Sequence, residues 1–305
     1  MIFASDLSLP EAPVLLSDGS WLVAEMGADR GSVTHLSADG RERRIVARTG
    51  RPNGLAIDGS GHIWVAESWQ PALLRLTLDG RAETVATGCE GEPFLFPNDL
   101  AFAPDGALYM TDSGVRVQDL LEGGKVRPDY EMLPMDGRVY RIDVGRGEVR
   151  KLDSGLRFAN GIAFGPDGAL YVAETLSGRI YRYALHSDGS VARRAEFANV
   201  LQPGAAAGFQ GPDGCKFAAD GSLYVAVFGQ GHVARVAPSG AVAQRLWTAG
   251  ALPTNLAFGP AGKGRLYVTE DEYGAIEALA VGTDGLPLCA PATAGMTIAG
   301  EEWKA

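Results

Sequence analysis

Cysteine and histidine are scarce in this chain, which has 3 cysteines and 4 histidines among 305 residues. Cys89, Cys215 and Cys289 are odd in number and share no spacing typical of a metal site. We therefore expect three free thiols in a reducing, cytoplasmic environment. No histidine lies in a motif related to a cysteine, which argues against a cysteine nucleophile.

Positive charge and long apolar runs are also lacking. Lysine and arginine number 27 against 37 aspartates and glutamates, so the net charge is −10. This balance argues against nucleic acid as a partner, because nucleic-acid binding needs a basic surface. No run approaches the roughly 18 apolar residues of a membrane span. The N-terminus has neither the basic start nor the apolar length of a secretory signal, so no membrane partner is expected.

Glycine, by contrast, is abundant, at 41 residues, and much of it belongs to a repeated phrase. In each copy a polar residue opens a short apolar run, an Asp-Gly turn follows, and a segment like Tyr-Val-Ala-Glu ends the phrase. The opening polar residues are Glu11, Asn53, Asn98, Asn160, Asp213 and Asn255, which are 42, 45, 62, 53 and 42 residues apart. A period of roughly 40–50 residues is typical of a β-propeller.

One copy, read in detail, predicts four strands. After Asn160 the predicted strands cover 161–164, 170–173, 179–184 and 190–197, with a glycine turn after each of the first three. Six such copies predict an all-β fold, a six-bladed β-propeller of four-stranded antiparallel blades forming a single domain over residues 1–305. A β-sandwich is the alternative, but it gives no reason for the repeated polar residue. Either Met1 to Leu7 or the tail near Thr297 would close the ring.

The strand directions place the six polar residues together. In an antiparallel blade, the start of the first strand and the end of the second lie on one face. The second strands end on Glu25, Glu67, Asp112, Glu174, Val227 and the pair Glu270 and Asp271. We expect both sets at the channel mouth, where oxygen donors suit Ca²⁺, Mg²⁺ or Mn²⁺. Two alternatives stay open: the Asn-Gly pairs could be simple turns, and the acidic ends could bind backbone amides of neighbouring blades.

The order and spacing of four motifs resemble the senescence marker protein, gluconolactonase and luciferin-regenerating enzyme family of six-bladed propellers. The motifs are Glu11-Ala12-Pro13, Asn98-Asp99, Asn160-Gly161 and Pro212-Asp213-Gly214. The resemblance implies one divalent metal held by Glu11, Asn98, Asn160 and Asp213, with Ca²⁺ or Zn²⁺ expected first and Mg²⁺ or Mn²⁺ as alternatives. It also implies that Asp213 acts as the general base.

One position departs from that family. Several sugar-lactone members carry an arginine two residues before the asparagine of blade three, and this chain has Phe96 there. By location, the arginines that could supply the charge instead are Arg30, Arg116, Arg127 and Arg157. The expected substrate contacts are Asn53, Asn255 and Asp112, which would position hydroxyl groups, and Tyr130 and Phe96, which would shape specificity.

The longest spacing between copies comes from an insertion at 113–136. A loop of this length in a compact domain is often functional, so we expect a lid over the channel mouth; an oligomer contact or decoration is the alternative. The connection at 201–211 is rich in glycine and alanine and is expected to form a pliable wall of the same pocket. Trp69 and Phe228 follow or end second strands and could add apolar walls.

These observations lead to three hypotheses of function. The first is a metal-dependent hydrolase that opens a small sugar-derived or hydroxy-acid lactone by metal-activated water. The second keeps the site but hydrolyses phosphotriesters or fluorophosphates. The third is a propeller that binds calcium or a protein partner without catalysis. The expected partner is a small-molecule lactone, and the expected assembly is a monomer or a small homo-oligomer.

Overall fold

The computed structural model describes residues 1–205, 207–293 and 303. It forms six four-stranded antiparallel sheets arranged as a β-propeller. From the channel outwards, blade one contains Pro10–Leu15, Trp21–Glu25, Ser32–Leu36 and Arg43–Arg48, blade two Pro52–Ile57, Ile63–Glu67, Ala72–Leu76 and Ala82–Ala86, and blade three Pro97–Phe102, Leu108–Asp112, Gly137–Asp143 and Glu148–Leu156.

The remaining three blades repeat this order. Blade four contains Ala159–Phe164, Leu170–Glu174, Arg179–Leu185 and Val191–Asn199, blade five Gly211–Phe217, Leu223–Phe228, His232–Val236 and Val242–Trp247, and blade six Pro253–Phe258, Arg265–Glu270, Ala275–Ala280 and Ile2–Ala4. The predicted fold class is therefore confirmed. Within the described residues, no helix has the length and hydropathy needed to cross a membrane.

The N-terminal strand closes the ring. Ile2–Ala4 pairs antiparallel with Ala275–Ala280, bringing Ile2 opposite Glu277 and Ala4 opposite Ile276. The N-terminal segment thus supplies the outer strand of the last blade. Of the two predicted ways to close the ring, the structure shows this one, and Thr297 lies outside the described residues.

Aromatic pairs join neighbouring blades and explain the recurring tyrosine or tryptophan of the repeat. An aromatic residue in the second strand of one blade packs edge-on against a phenylalanine in the inner strand of the next. The pairs are Trp64 with Phe102, Tyr109 with Phe164, Tyr171 with Phe217, and Tyr224 with Phe258, at centroid distances of 6.1, 5.0, 4.8 and 5.5 Å. Each pair contributes about 0.5–1.5 kcal/mol beyond the burial of its area.

A β-bulge interrupts the pairing of every inner strand at or directly after the polar residue. In blade two, for example, the register shifts between Pro52 and Leu55, which leaves Asn53 and Gly54 out of the regular ladder. The inner strands of blades three to six shift at the equivalent place, whereas in blade one Glu11 still pairs with Ala24 and the shift follows it. A bulge re-aims the side chain it contains, so this device re-aims the polar residues of blades two to six.

The glycine after the polar residue is required by close packing, not by a turn. Gly54, Gly161 and Gly214 all lack a positive φ. A Cβ atom on Gly161 would lie 2.2 Å from the carbonyl oxygen of Asp213, and one on Gly54 would lie 2.5 Å from the carbonyl oxygen of Asn98. The interpretation of these Asn-Gly and Asp-Gly pairs as simple turns is therefore wrong.

The chain after blade six lies across the face opposite the polar ring. Leu286 donates its amide to the carbonyl of Phe217 in blade five at 2.8 Å. Further on, Gly59 in blade two donates to the carbonyl of Pro291, also at 2.8 Å. The segment thus crosses from blade five to blade two beside the turns that join first and second strands.

Candidate metal centre at the channel mouth

The six polar residues of the repeat form one buried ring on the inner strands. Glu11, Asn53, Asn98, Asn160, Asp213 and Asn255 are each at most 8% exposed. Five of them lie in the bulge of their own inner strand, and Glu11 is the last paired residue before the bulge of blade one. The inner strands also contact one another around the channel, so the ring expected from the sequence is present.

Two asparagines of the ring have their carboxamides fixed by hydroxyl groups. Asn98 donates from Nδ2 to Ser113 Oγ at 3.0 Å, and Asn160 donates from Nδ2 to Thr175 Oγ1 at 3.1 Å. The two hydroxyls in turn donate to backbone carbonyls of the next blade, at 2.9 Å each. Asn98 Oδ1 is buried and has no hydrogen-bond partner among the described residues. A buried oxygen without a donor is the arrangement expected of a metal ligand.

The two carboxylates of the ring interact unfavourably with each other. Burial, followed by the charge of Asp99, raises the pKa of Glu11 to about 8. Burial, followed by the charge of Glu11, raises the pKa of Asp213 well above its usual value. Two buried carboxylates that disfavour each other's ionisation are stabilised by a cation between them. Together with the orphaned amide oxygen, this donor set fits a hard divalent metal.

The two other asparagines differ in what they contact. Asn255 donates from Nδ2 to Glu11 Oε2 at 2.9 Å and accepts the Leu256 amide on Oδ1 at 2.8 Å. Both ends of its carboxamide are thus occupied, and it positions Glu11. Asn53 lies in the ring without a side-chain hydrogen bond to any described residue. Asn53 is therefore the better placed of the two for a substrate hydroxyl.

The acidic ends of the second strands bind the backbone. They accept amide protons from the segment that leads into the inner strand of their own blade. Glu67 accepts from Arg51, Asp112 from Leu95 and Phe96, Glu174 from Arg157, and Glu270 from Leu252, at 2.7–3.1 Å. The expectation of an acidic rim is wrong for these four. The alternative was right about backbone amides but wrong about the blade, because the amides belong to the same blade and not to neighbouring ones.

Asp112 belongs to this structural group and not to the substrate contacts. Its two oxygens accept three backbone amides, from Leu95 at 2.7 Å, Phe96 at 2.9 Å and Gly114 at 2.8 Å. The side chain is also fully buried. We correct the sequence-based expectation accordingly, because a carboxylate that is fully buried and bound to three backbone amides is not presented to a substrate hydroxyl.

Arg51 is the arginine that sequence reasoning missed at the mouth. Its guanidinium lies over the Phe96 ring, with Cζ 5.7 Å from the ring centroid, and Nη1 contacts Met26 Sδ at 3.0 Å. Burial lowers the pKa of Arg51. A signal was present in the repeat, since Arg51 stands two residues before Asn53, as Phe96 does before Asn98.

The four arginines considered from the sequence do not take this place. Arg30 pairs with Glu25 at 3.0 Å, and Arg127 pairs with Asp129 at 2.7 Å. Arg116 and Arg157 are exposed. These four arginines were chosen by their location in the chain. Equivalent positions in different copies of the repeat were not compared, and so Arg51 was missed.

Two further carboxyl groups lie near the ring. Asp271 follows the second strand of blade six, and burial raises its pKa to about 8. Its charge also raises the pKa of both Glu11 and Asp213. Asp99, next to the ring position of blade three, pairs with Lys216 Nζ at 3.5 Å. The centre therefore holds more carboxylates than the ring alone, and Lys216 offsets one of them.

Aromatic side chains form a wall on the side of blades three to five. Phe96 packs edge-on against Phe158 at 5.7 Å, and Phe158 packs against Phe209 at 5.0 Å. Phe209, from the connection at 201–211, also meets Tyr130 at 5.3 Å and Phe228 at 6.1 Å. The mouth thus has an apolar side, which we call the aromatic wall, and a charged side with Arg51 and Asp271 near blades six, one and two.

The insertion at 113–136 rests on this wall. It contains a short helix at Val117–Leu120, a small hairpin of Leu121–Glu122 with Lys125–Val126, and a 3₁₀ turn at Tyr130–Met132. Its residues Val115, Val117, Leu120 and Tyr130 form one buried cluster with Phe96 and Phe158. Gln118 also donates to the carbonyl of Trp69 at 3.1 Å, beside an exposed indole. The insertion borders the mouth, and its action as a lid stays a prediction.

Comparison with known proteins agrees with this architecture. A profile of the SMP-30/gluconolactonase/LRE-like region matches residues 30–271. The gluconolactonase of Zymomonas mobilis subsp. mobilis is 29% identical over 245 residues, 75% of this chain and 67% of its own length. The diisopropyl-fluorophosphatase of Loligo vulgaris is 26% identical over 292 residues, 89% of this chain and 88% of its own. A solved gluconolactonase structure from Xanthomonas campestris matches at a TM-score of 0.75 and 25% identity, covering 93% and 89% of the two chains.

Proposed function

Because the chain belongs to the SMP-30/gluconolactonase/LRE-like family, we propose that it is a metal-dependent lactonase. The substrate is a small sugar-derived or hydroxy-acid lactone, and Glu11, Asn98, Asn160 and Asp213 hold one divalent metal. The relatives named gluconolactonase and lactonase support the reaction class.

The observation that carries this proposal is the fixed orientation of the two asparagines. Hydroxyl groups occupy the Nδ2 atoms of Asn98 and Asn160, which leaves the amide oxygens for a cation. Two carboxylates balance a charge of +2, and two amide oxygens add ligands without adding charge. Oxygen donors alone favour Ca²⁺ first, while Zn²⁺, Mg²⁺ and Mn²⁺ belong in the same test.

Different residues of the ring have different roles in hydrolysis. A bound divalent ion supplies Lewis acidity, polarising the ester carbonyl and lowering the pKa of water. Asp213 accepts the proton of the attacking water as the water oxygen bonds to the ester carbon, and returns it to the ring oxygen when the C–O ester bond breaks. Asn53 binds a hydroxyl of the lactone, and Asn255 holds Glu11 in place. The aromatic wall excludes bulk water from the apolar side of the lactone ring.

Variants of the ring test these roles directly. Glu11→Gln and Asp213→Asn should each abolish lactone hydrolysis and weaken metal binding measured by calorimetry. Asn53→Ala should keep the metal and mainly raise KM, since it removes a substrate contact. Wild-type metal affinity in Asp213→Asn would show that the ligand assignment is wrong.

A second reaction on the same site is hydrolysis of phosphotriesters or fluorophosphates. It is favoured by the diisopropyl-fluorophosphatase relative, which aligns over 89% of this chain. In that reaction Asp213 would attack phosphorus and expel fluoride or alkoxide, and water would then attack the carboxyl carbon of the resulting acyl phosphate. Single turnover in ¹⁸O water separates the two cases, because this route leaves the label in the Asp213 carboxylate, whereas direct attack by water puts it in the product.

Removing and restoring the metal tests the enzyme assignment as a whole. The chelated protein is assayed on a panel of lactones and phosphotriesters after addition of Ca²⁺, Zn²⁺, Mg²⁺ or Mn²⁺. We expect lactone hydrolysis with at least one ion. If none of these substrates is turned over with any ion, a non-enzymatic calcium-binding or interaction propeller becomes the better account.

The proposed setting is the cytoplasm. It is supported by the three cysteines, which are all free thiols in the structure. The size of the assembly, a monomer or small homo-oligomer, stays a prediction that light scattering would test.

A further inference from the structure

Arg51 is held at the channel mouth without an anionic partner. No carboxylate within residues 1–205 or 207–293 approaches its guanidinium to 4.0 Å. Its protein contacts are the thioether of Met26 and the face of the Phe96 ring. A guanidinium carries five N–H donors and no acceptor. Most of these donors are therefore free to meet an acceptor that enters the mouth.

Asp271 supplies the complementary group. Its Oδ1 atom is buried and has no hydrogen-bond partner in the described part of the chain. Its charge interacts with that of Arg51, although the two do not form a direct ion pair. Arg51 precedes the inner strand of blade two, and Asp271 follows the second strand of blade six. The two groups therefore flank blade one, which carries Glu11.

A donor and an acceptor held apart at one mouth fit a hydroxyl group. A substrate hydroxyl can accept from Arg51 and donate to Asp271, which neither an ester nor a hydrocarbon can do. A carboxylate could accept from Arg51 but has no proton to donate to Asp271 Oδ1. We propose that Arg51 and Asp271 form a polar subsite that selects lactones bearing a ring hydroxyl.

This inference rests on the proposed lactonase function and makes it more specific. The aromatic wall lies at blades three to five and adjoins the polar subsite at Phe96. Phe96 belongs to both, since its ring starts the wall and its face supports Arg51. A lactone with its apolar face on the wall turns its hydroxyls towards Arg51. The subsite therefore fixes one orientation of the ring relative to Asp213.

The test compares two lactones that differ in their hydroxyl groups. The probes are D-glucono-δ-lactone and unsubstituted δ-valerolactone, each with the Ca²⁺-loaded enzyme. In Arg51→Met, we expect kcat/KM for the hydroxylated lactone to fall about 10- to 100-fold, the usual loss for a charged hydrogen bond. Activity on δ-valerolactone should change less than threefold. Asp271→Asn should show the same selectivity with a smaller loss, because an amide still accepts.

Metal binding gives a readout that is independent of activity. Arg51→Met removes a positive charge near the ring, so calorimetry should show Ca²⁺ affinity unchanged or a few-fold higher. The matched control is Arg44→Met, an exposed arginine on the outer strand of blade one whose Nη1 donates to the Leu78 carbonyl. It should alter neither affinity nor selectivity. An equal loss on both lactones in Arg51→Met would overturn the subsite.

A failure of the lactonase proposal can be told from a failure of the subsite. If the wild type hydrolyses no lactone, binding of the neutral polyol D-glucitol to the Ca²⁺-loaded protein is measured by NMR. Weaker binding in Arg51→Met than in Arg44→Met supports the polar subsite even then. Equal binding in both variants, or no binding by the wild type, overturns it.

Discussion

Glu11 should make the metal-free protein less stable as the pH rises. Its pKa is raised from 4.5 to about 8 in the folded chain, first by burial and then by the charge of Asp99. Between these two values the folded state binds more protons than the unfolded state. The stabilisation is therefore full below pH 4.5 and is lost as the pH rises through about 8. Asp213 and Asp271 shift in the same direction.

The size of the effect follows from the shift. A rise from 4.5 to about 8 corresponds to a free energy on the order of 5 kcal/mol, of which roughly 4 kcal/mol is lost between pH 5 and pH 8.5. For a domain of this length, that amounts to a fall in Tm of about 6 °C. Thermal unfolding of the chelated protein between pH 5 and pH 8.5 should show this fall. Saturating Ca²⁺ should reverse it, because the cation stabilises the ionised carboxylates.

Glu11→Gln is the matched variant for this measurement. It keeps the shape of the side chain but cannot ionise, so the chelated variant should lose less stability with rising pH and gain less from Ca²⁺. A Tm of the chelated wild type that stays constant or rises from pH 5 to pH 8.5 would refute the reasoning. So would an equal response of wild type and Glu11→Gln to pH and metal.

Three further changes test how the ring is held. Gly161→Ala places a Cβ atom 2.2 Å from the backbone of blade five, so urea unfolding should show a loss of stability of about 2–4 kcal/mol. In the control Gly208→Ala, the added Cβ atom would meet no described atom within 4 Å, so the loss of stability should be small. Ser113→Ala removes the acceptor that orients Asn98, and calorimetry should show metal affinity about 10-fold lower with the fold intact. Asp112→Ala leaves three backbone amides without their acceptor, so unfolding experiments should show a loss of stability of about 2–4 kcal/mol.

Most of the fold could be predicted from the sequence because of its repeat. Turn glycines, alternating strands and a regular period are local properties, and they predict a blade wherever they occur. The convergence of the six polar residues followed from the repeat and from strand direction, and the choice of Glu11, Asn98, Asn160 and Asp213 among them followed from the family resemblance. The β-bulge that turns these side chains inwards could not be seen, because a bulge depends on how two strands pair.

The side-chain partners were harder to predict than the positions. Glu67 and Asp112 end their strands where an acidic rim was expected, but their carboxylates accept hydrogen bonds from nearby backbone amides. Asn255 looks like Asn53 in sequence, yet contact with Glu11 occupies it. Arg51 was overlooked because its role depends on Phe96, a residue of the neighbouring blade. These contacts join different copies of the repeat, so the sequence of one copy does not predict them.

A crystal structure of the protein grown with Ca²⁺ tests the central claim most directly. The claim predicts one ion at the channel mouth, bound by oxygens of Glu11, Asn98, Asn160 and Asp213 at about 2.3–2.6 Å. It also predicts that Asn255 stays hydrogen-bonded to Glu11. An ion bound by other residues, or a mouth that holds only water at saturating Ca²⁺, would contradict the account.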